Sequence, residues 1–374
     1  MKSIKNKIAG LAGMAGLLLS SEVIAKSKYN LPEPADPIVQ QIFDVHMVTS
    51  AIATIIMIIV TLIIVYSLIV HRKDKGYVAD QNFHKSWFGR WAWLLVPLIV
   101  LGIDFSIAKT AHKTMETIYD EHPESDMTVK IIGSQWKWSY EYMDSGIKLT
   151  SNLNRDLTPK DEFYLRDVDQ PLILPVNTKI RLLHTTTDVL HNWWVPQIAY
   201  KVDAIPGYIT ETRTEILKEG TYRGQCAENC GTGHAFMPIV VKAVSKDEFA
   251  KWQEEQVAAA AAAAAEASSD KEWTMEELFA KGKEHYNKTC VACHQANGEG
   301  VPGVFPALKG SAKATGDVKV HIQTVLNGVS GTAMAAWKDQ LNDLEIAAII
   351  TYERNAWGNN TGDVVQPKQV AAER

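Results

Sequence analysis

QCAENCGTGHAFM, residues 225–237, places two cysteines, a glutamate, a histidine and a methionine in thirteen positions. Thiolate, imidazole and thioether together select copper over hard cations. The stretch TRTEILKEGTYRGQC leads into this loop and MPIVVKAV leaves it, and both read as short β-like runs. The same pattern, broken by Pro, Asn and Gly, reaches back through LILPVNTKIRLLHT and MTVKIIGSQWKWSYEY. Residues 127–243 are therefore expected to form an all-β sandwich with the metal loop joining two of its strands.

The second cysteine needs explaining, because a mononuclear blue site uses one cysteine, two histidines and a weakly bound methionine. Two bridging thiolates can instead hold two coppers, each needing a terminal nitrogen. Only His234 lies in the loop, so a second histidine must come from elsewhere. His191 in DVLHNWWVP ends the strand-like run that begins near Leu172 and is the better supplier, with His184 as its rival. Cys226, Cys230, His234 and Met237 complete the candidate donor set.

All four cysteines fall in two close pairs, and the other pair lies in CVACH, residues 290–294. Two thiols three positions apart with an adjacent histidine form the attachment pattern of a c-type haem, in which Cys290 and Cys293 make thioethers and His294 ligates iron. A low-spin electron-transfer haem needs a second axial ligand, and methionine raises its potential. Met334 in GTAMAAW is favoured over Met275, with His285 and His321 as weaker rivals. Pro306 in GVFPAL could direct a carbonyl at the His294 ring. Helical periodicity in MEELFAKGKEHYNKTC and LNDLEIAAIITYERNAW predicts a small α domain. Residues 272–355 resemble the small single-haem cytochromes c, which strengthens the Pro306 and Met334 assignments.

Upstream, residues 47–70 contain no charge over 24 positions, enough for a helix to cross the hydrocarbon core. Trp91 to Ala108 is a second span, with Asp104 near one end. The loop between them carries Arg72, Lys73, Lys75, Lys85 and Arg90 against two acids, which places it in the cytoplasm and both outer ends in the periplasm. Residues 1–25 read as an export signal, basic and then apolar, with a small-residue exit near Ala25. The run AAAAAAAAEASSDKE from Ala258 marks a boundary, as a helical spacer or a flexible tether. A net charge of -5 without long single-sign blocks carries no nucleic-acid footprint.

The helix hairpin, GSQWKWSYEY, DVLHNWWVP, KVDAIPGY and CAENCGTGHAFM, in this order, resemble subunit 2 of the haem-copper cytochrome c oxidases, in the bacterial caa-type form fused to a cytochrome c domain. The resemblance covers about 38 to 355. With the readings above, a multi-domain chain is expected: export signal 1–25, two-helix transmembrane hairpin 38–112, cupredoxin-like sandwich 113–250, alanine-rich linker 251–271, all-α cytochrome c domain 272–357 and a polar, frayed tail 358–374. The resemblance also implies a dinuclear CuA centre on His191, Cys226, Cys230, His234, Met237 and the backbone carbonyl of Glu228. It further implies magnesium bound through the Glu228 carboxylate at the junction with subunit 1, and electron arrival at Trp136. KVDAIPGY would lie against subunit 1.

Residues 136, 138 and 140 also alternate onto one face, so core packing is expected for at least two of them. The resemblance departs at Arg90, where many relatives carry a glutamate feeding a proton path. The implied role is electron input. Haem c, bound by Cys290, Cys293, His294 and Met334, and then CuA pass electrons from a cytochrome c donor to haem a in subunit 1, where oxygen is reduced with proton translocation. Subunits 1 and 3 and the bacterial inner membrane are the implied partners. A membrane-anchored electron shuttle or copper carrier is the alternative. A nitrous oxide reductase would need a histidine-rich propeller, and the chain has 11 histidines in all. A quinol oxidase subunit would lack the copper donors.

Overall fold

In a computed structural model of the chain, residues 30–120, 124–267 and 271–374 are described. The expected export signal lies outside them. Helix α1, Pro37–Val70, starts at Asp36, whose carboxylate accepts from the Ile38 and Val39 amides, with proline in the first turn. Helix α2, Trp87–Ile118, starts at Ser86, whose hydroxyl accepts from the Gly89 amide. With 34 and 32 residues the helices are each about 50 Å long, against a hydrocarbon core of about 30 Å. Both therefore continue beyond the apolar runs. Their apolar side chains, Leu62, Leu68 and Leu98 among them, stand exposed along the shafts.

Ten strands form the sandwich. One sheet has the order β3 (Lys148–Ser151), β2 (Lys137–Tyr142), β1 (Met127–Ser134), β5 (Ile180–Thr186), β8 (Thr210–Thr214). The other has the order β4 (Leu172–Pro175), β10 (Pro238–Val244), β9 (Gly220–Cys226), β6 (His191–Trp194), β7 (Val202–Ala204). Every second residue of β1 turns inward, and Val129 and Ile131 are fully buried against Leu172, Leu174 and Ile239 of the facing sheet. Trp138 and Tyr140 belong to this core, whereas Trp136 sits in the turn before β2 and is half-buried. The sandwich is joined to α1 by its backbone: Ala35 N–H donates to Gln197 O, Ala35 O accepts from Leu217 N–H, and the Asp36 carboxylate also accepts from Glu215 N–H.

Helix α3, Lys246–Ala267, follows β10 after one residue. Phe249 and Trp252 stack on each other and against Tyr142, so its first turns are part of the sandwich core. The alanine run is helical, as the best helix-forming residue allows. Beyond it lie α4 (Met275–Thr289), α5 (Val291–His294), α6 (Ala312–Thr315), α7 (Val318–Asn327), α8 (Asp343–Asn355) and α9 (Pro367–Ala371). Helices α4 and α8 each begin with a reciprocal capping box, Thr274 with Glu277 and Asn342 with Glu345. They cross at Gly282, whose Cα lies against the Ala348 carbonyl.

The expectation of a frayed tail over 358–374 is corrected here. Val365 and Val370 are buried with Ile322, Ile346 and Ile350, and Pro367 opens α9 behind a Gln366 cap. Asp363 pairs with the buried Arg354 guanidinium, which also donates to the carbonyls of Ala314 and Gly316. Val364 packs against Trp273 and Leu278, so three valines and one acid tie this mostly polar segment to the domain.

Candidate metal centre

Strand pairing brings the distant donors together. Trp193 of β6 pairs with Cys226 of β9, and Ala227 N–H donates to Asn192 O. The start of one strand thus lies beside the end of the other, and His191 meets Cys226 across 35 positions of sequence. The loop after Cys226 closes through a 3₁₀ turn, His234–Phe236, and Cys226 N–H donates to Met237 O.

The Cys226 and Cys230 sulfurs are 3.8 Å apart, far beyond the roughly 2.05 Å of a disulfide. His191 Nδ1 is 3.9 Å from Cys226 Sγ, and His234 Nδ1 is 3.5 Å from Cys230 Sγ. The donor atoms of His191, Cys226 and Cys230 all lie within 4.8 Å of one another. A soft metal takes sulfur at about 2.3 Å and imidazole nitrogen at about 2.0 Å, so these separations suit thiolates shared between metals with one nitrogen at each end. Glu228 O lies 3.3 Å from Cys226 Sγ. Met237 is 1% exposed, and Glu228 is half-buried in the loop. A hydrogen bond between the two sulfurs holds the Cys226 thiol well below its ordinary value and pushes that of Cys230 up.

His184 is not among these donors. It is buried on β5, with Nε2 2.7 Å from Thr212 Oγ1. Burial lowers its pKa to about 3 and holds it neutral.

Three supporting residues had no place in the sequence reading. Asp188 accepts from His191 Nε2 at 3.0 Å, which leaves Nδ1, on the Cys226 side, unprotonated and able to bind a metal. Burial works to raise the Asp188 carboxyl, but hydrogen bonds from His191 and from the Gln135 and Val189 amides outweigh it and hold it below the ordinary range. Gly133 and Gly233 leave room for aromatic rings. A Cβ at 133 would lie 2.9 Å from the His191 ring, and one at 233 would lie 2.2 Å from the Trp136 ring. A carboxylate three positions before a histidine was the available signal for Asp188. For the glycines there was none.

Trp136 spans the outer side of the loop, its indole N–H donating to Cys230 O at 3.1 Å, while the Gln135 amide donates to the same oxygen at 2.9 Å.

In the helical domain, Cys290 caps α4 and Cys293 and His294 lie on α5. His294 Nδ1 is 2.9 Å from Pro306 O. A ring nitrogen facing a carbonyl carries the proton, so Nε2 is the nitrogen open to a metal. Met334 is half-buried in the loop between α7 and α8, its carbonyl accepting from Val329 N–H over Gly328. Met275 opens α4 instead, His285 faces Glu345, and His321 is bound to Glu353 at 2.9 Å. The three rivals thus have other settings.

Comparison with known proteins agrees with this division. Residues 127–244 match the family described as the periplasmic domain of cytochrome c oxidase subunit II, and residues 277–352 match that of subunit III of cbb3-type cytochrome c oxidase. A probable cytochrome c oxidase subunit 2 of Rickettsia bellii is 36% identical over 225 residues, 59% of this chain and 80% of the relative. Cytochrome c oxidase subunit 2 of Metridium senile is 36% identical over 258 residues, 64% of this chain and 97% of the relative. The crystal structure of the periplasmic domain of cytochrome oxidase subunit II from Bradyrhizobium japonicum is 41% identical, covers 36% of this chain and 95% of that one, and has a TM-score of 0.34. The molecule is two apolar helices, a cupredoxin-like sandwich and a helical cytochrome c domain, and these domain families imply copper and haem c.

Proposed function

The chain belongs to the cytochrome c oxidase subunit 2 family, and from that premise we propose that it is the electron-input subunit of a membrane oxidase, passing electrons to haem a of subunit 1. When bound, a CuA copper pair and one covalent haem c supply one-electron transfer, with no bond chemistry in this chain. Cys226, Cys230, His191, His234, Met237 and the Glu228 carbonyl would hold the copper pair. Cys290 and Cys293 would anchor the haem, and His294 and Met334 would ligate its iron. The observation that carries this reading is the open sulfur pair with a histidine nitrogen against each member.

The remaining residues orient and shield. Asp188 fixes the His191 tautomer, and the depth of His191, Cys226, Cys230 and Met237 keeps water from the donors. Trp136, bonded to Cys230 O, is the point where electrons reach the sandwich. Val189 and Leu190 on one loop, and Tyr208 and Ile209 on the next, are exposed beside the bridge between Thr186 and Pro206. This apolar patch suits the face toward subunit 1, where the Glu228 carboxylate would meet magnesium. The hairpin crosses the bacterial inner membrane with its basic loop in the cytoplasm and both outer ends in the periplasm. Subunit 3 and a cytochrome c donor complete the assembly.

Affinity purification of the full chain from its native membranes tests the assignment. A multi-helix subunit containing non-covalent haem should copurify. A chain that comes away alone with its metals intact is the shuttle of the alternative reading. At the site itself, Asp188→Ala should weaken copper binding by about 10- to 100-fold in competition with a chelator. Asp188→Asn, which still accepts from the ring, should lose less.

A further inference from the structure

The cytochrome domain is seated on the face of the sandwich that carries Trp136. The Phe305 ring meets the Trp136 indole edge-on, with centroids 6.0 Å apart. Beside it Lys137 Nζ lies 3.9 Å from the centre of the Trp337 ring and donates to Gln340 Oε1 at 3.1 Å. Phe305 precedes the proline whose carbonyl holds His294, and Trp337 lies three residues beyond Met334. Both loops that flank the haem motif therefore touch the sandwich, and they touch it at two consecutive residues.

Lys137 is the unusual member. It opens a strand, where a lysine ordinarily extends into water, yet it is 9% exposed. Among the described residues no carboxylate lies within ion-pair distance of its ammonium; Asp188 attracts it from farther off, and an aromatic face and a neutral amide of the cytochrome domain contact it. Burial draws its pKa down to about 8, so the group is still cationic at neutral pH. A buried cation whose direct contacts come from the opposite domain has its place when the two domains are together. Its backbone pairs within the sandwich, opposite Ser134, so the fold of β2 does not depend on the side chain.

We propose that Lys137 is a latch: by inserting its ammonium between Trp337 and Gln340 it holds the chain's own cytochrome domain over Trp136 and closes that residue to any external protein donor. The consequence rests on the electron-input reading above. A soluble donor then delivers electrons to the cytochrome domain, not to the sandwich. Helix α3, rooted in the sandwich by Phe249 and Trp252, keeps the tethered domain at high effective concentration, and the latch selects the seated arrangement.

Hydroxyl-radical footprinting of the full, metal-loaded chain in detergent, read by mass spectrometry, tests the latch. Trp136 and Trp337 should be protected in the wild type. Lys137→Ala should lower the seated-to-open ratio by about five- to thirtyfold, the size of one desolvated cation–π contact, and raise oxidation of both tryptophans together. Gln340→Ala should act in the same direction and less strongly, and Lys137→Arg, which keeps a cation over the ring, should restore protection. Trp193, fully buried in the sandwich, should be unchanged throughout and serves as the folding control. Equal oxidation of Trp136 and Trp337 in the wild-type, Lys137→Ala and Gln340→Ala chains would overturn the proposal. Protection of both tryptophans in a chain that binds no copper would sink the electron-input reading and leave the latch standing.

Discussion

Cys226→Ser should abolish the copper centre while the sandwich stays folded. A serine hydroxyl is a hard, protonated donor of nearly the same size, so packing changes little and the shared soft donor is lost. Removing a group that only supports a ligand weakens metal binding by about 10- to 100-fold; removing the bridging donor itself should exceed about 100-fold. His191 and Asp188 remain bonded to each other, and Cys230 keeps its contact with His234, which leaves at best a site for a single ion. Copper content and the copper spectrum of the purified chain are the readout. Retention of a copper pair by the serine variant would show that the thiolates do not bridge.

Gly282→Ala should have the largest effect on the cytochrome domain. The added Cβ would lie 2.0 Å from the Ala348 carbonyl oxygen and 2.7 Å from the Tyr352 Cβ. Both neighbours are parts of a buried helix and cannot turn aside, so α4 and α8 must separate. Alanine improves helix propensity by about 1 kcal/mol, but overpacking costs about 3 kcal/mol at such a contact, and the clash wins by about 2 kcal/mol. For a domain of this size that lowers the melting temperature by roughly 8–16 °C. Because α4 ends at Cys290, the same displacement should reduce haem attachment. Thermal unfolding followed at the haem band measures the first effect, and the ratio of haem to protein measures the second. An unchanged melting temperature would mean that the helices do not cross at Gly282.

What could be read from the sequence divides by how local the signal is. The metal loop announced itself because its donors crowd into one segment, and CVACH did so for the same reason. His191 was accessible by elimination, since two thiolates lacked a second nitrogen. His191 ranks ahead of His184 in the sequence because it ends a strand-like run, and in the structure the His184 ring turns toward Thr212. Asp188 was hidden because an acid in a loop is ordinary until its partner is known. Gly133 and Gly233 acquire meaning only when the His191 and Trp136 rings occupy the space a side chain would take.

The tail was misread for a related reason. Val364, Val365 and Val370 are three valines in a mostly polar segment, too few for a periodic signal, but Val365 and Val370 are buried against α7 and α8, and Val364 packs against Trp273 and Leu278. The two membrane helices show the opposite limit: apolar runs marked their centres, while their ends depended on the caps at Asp36 and Ser86. Lys137 lies beyond any local reading, because its contacts come from residues about 200 positions away in the other domain.

The central claim is that Cys226 and Cys230 hold a pair of coppers between them. Electron paramagnetic resonance of the oxidised full chain, combined with copper and haem quantitation, tests it directly. The expected result is one unpaired electron shared equally between two copper nuclei, alongside one covalent haem per chain. A signal confined to a single copper nucleus, or a copper-free protein with Cys226 and Cys230 joined as a disulfide, would contradict it.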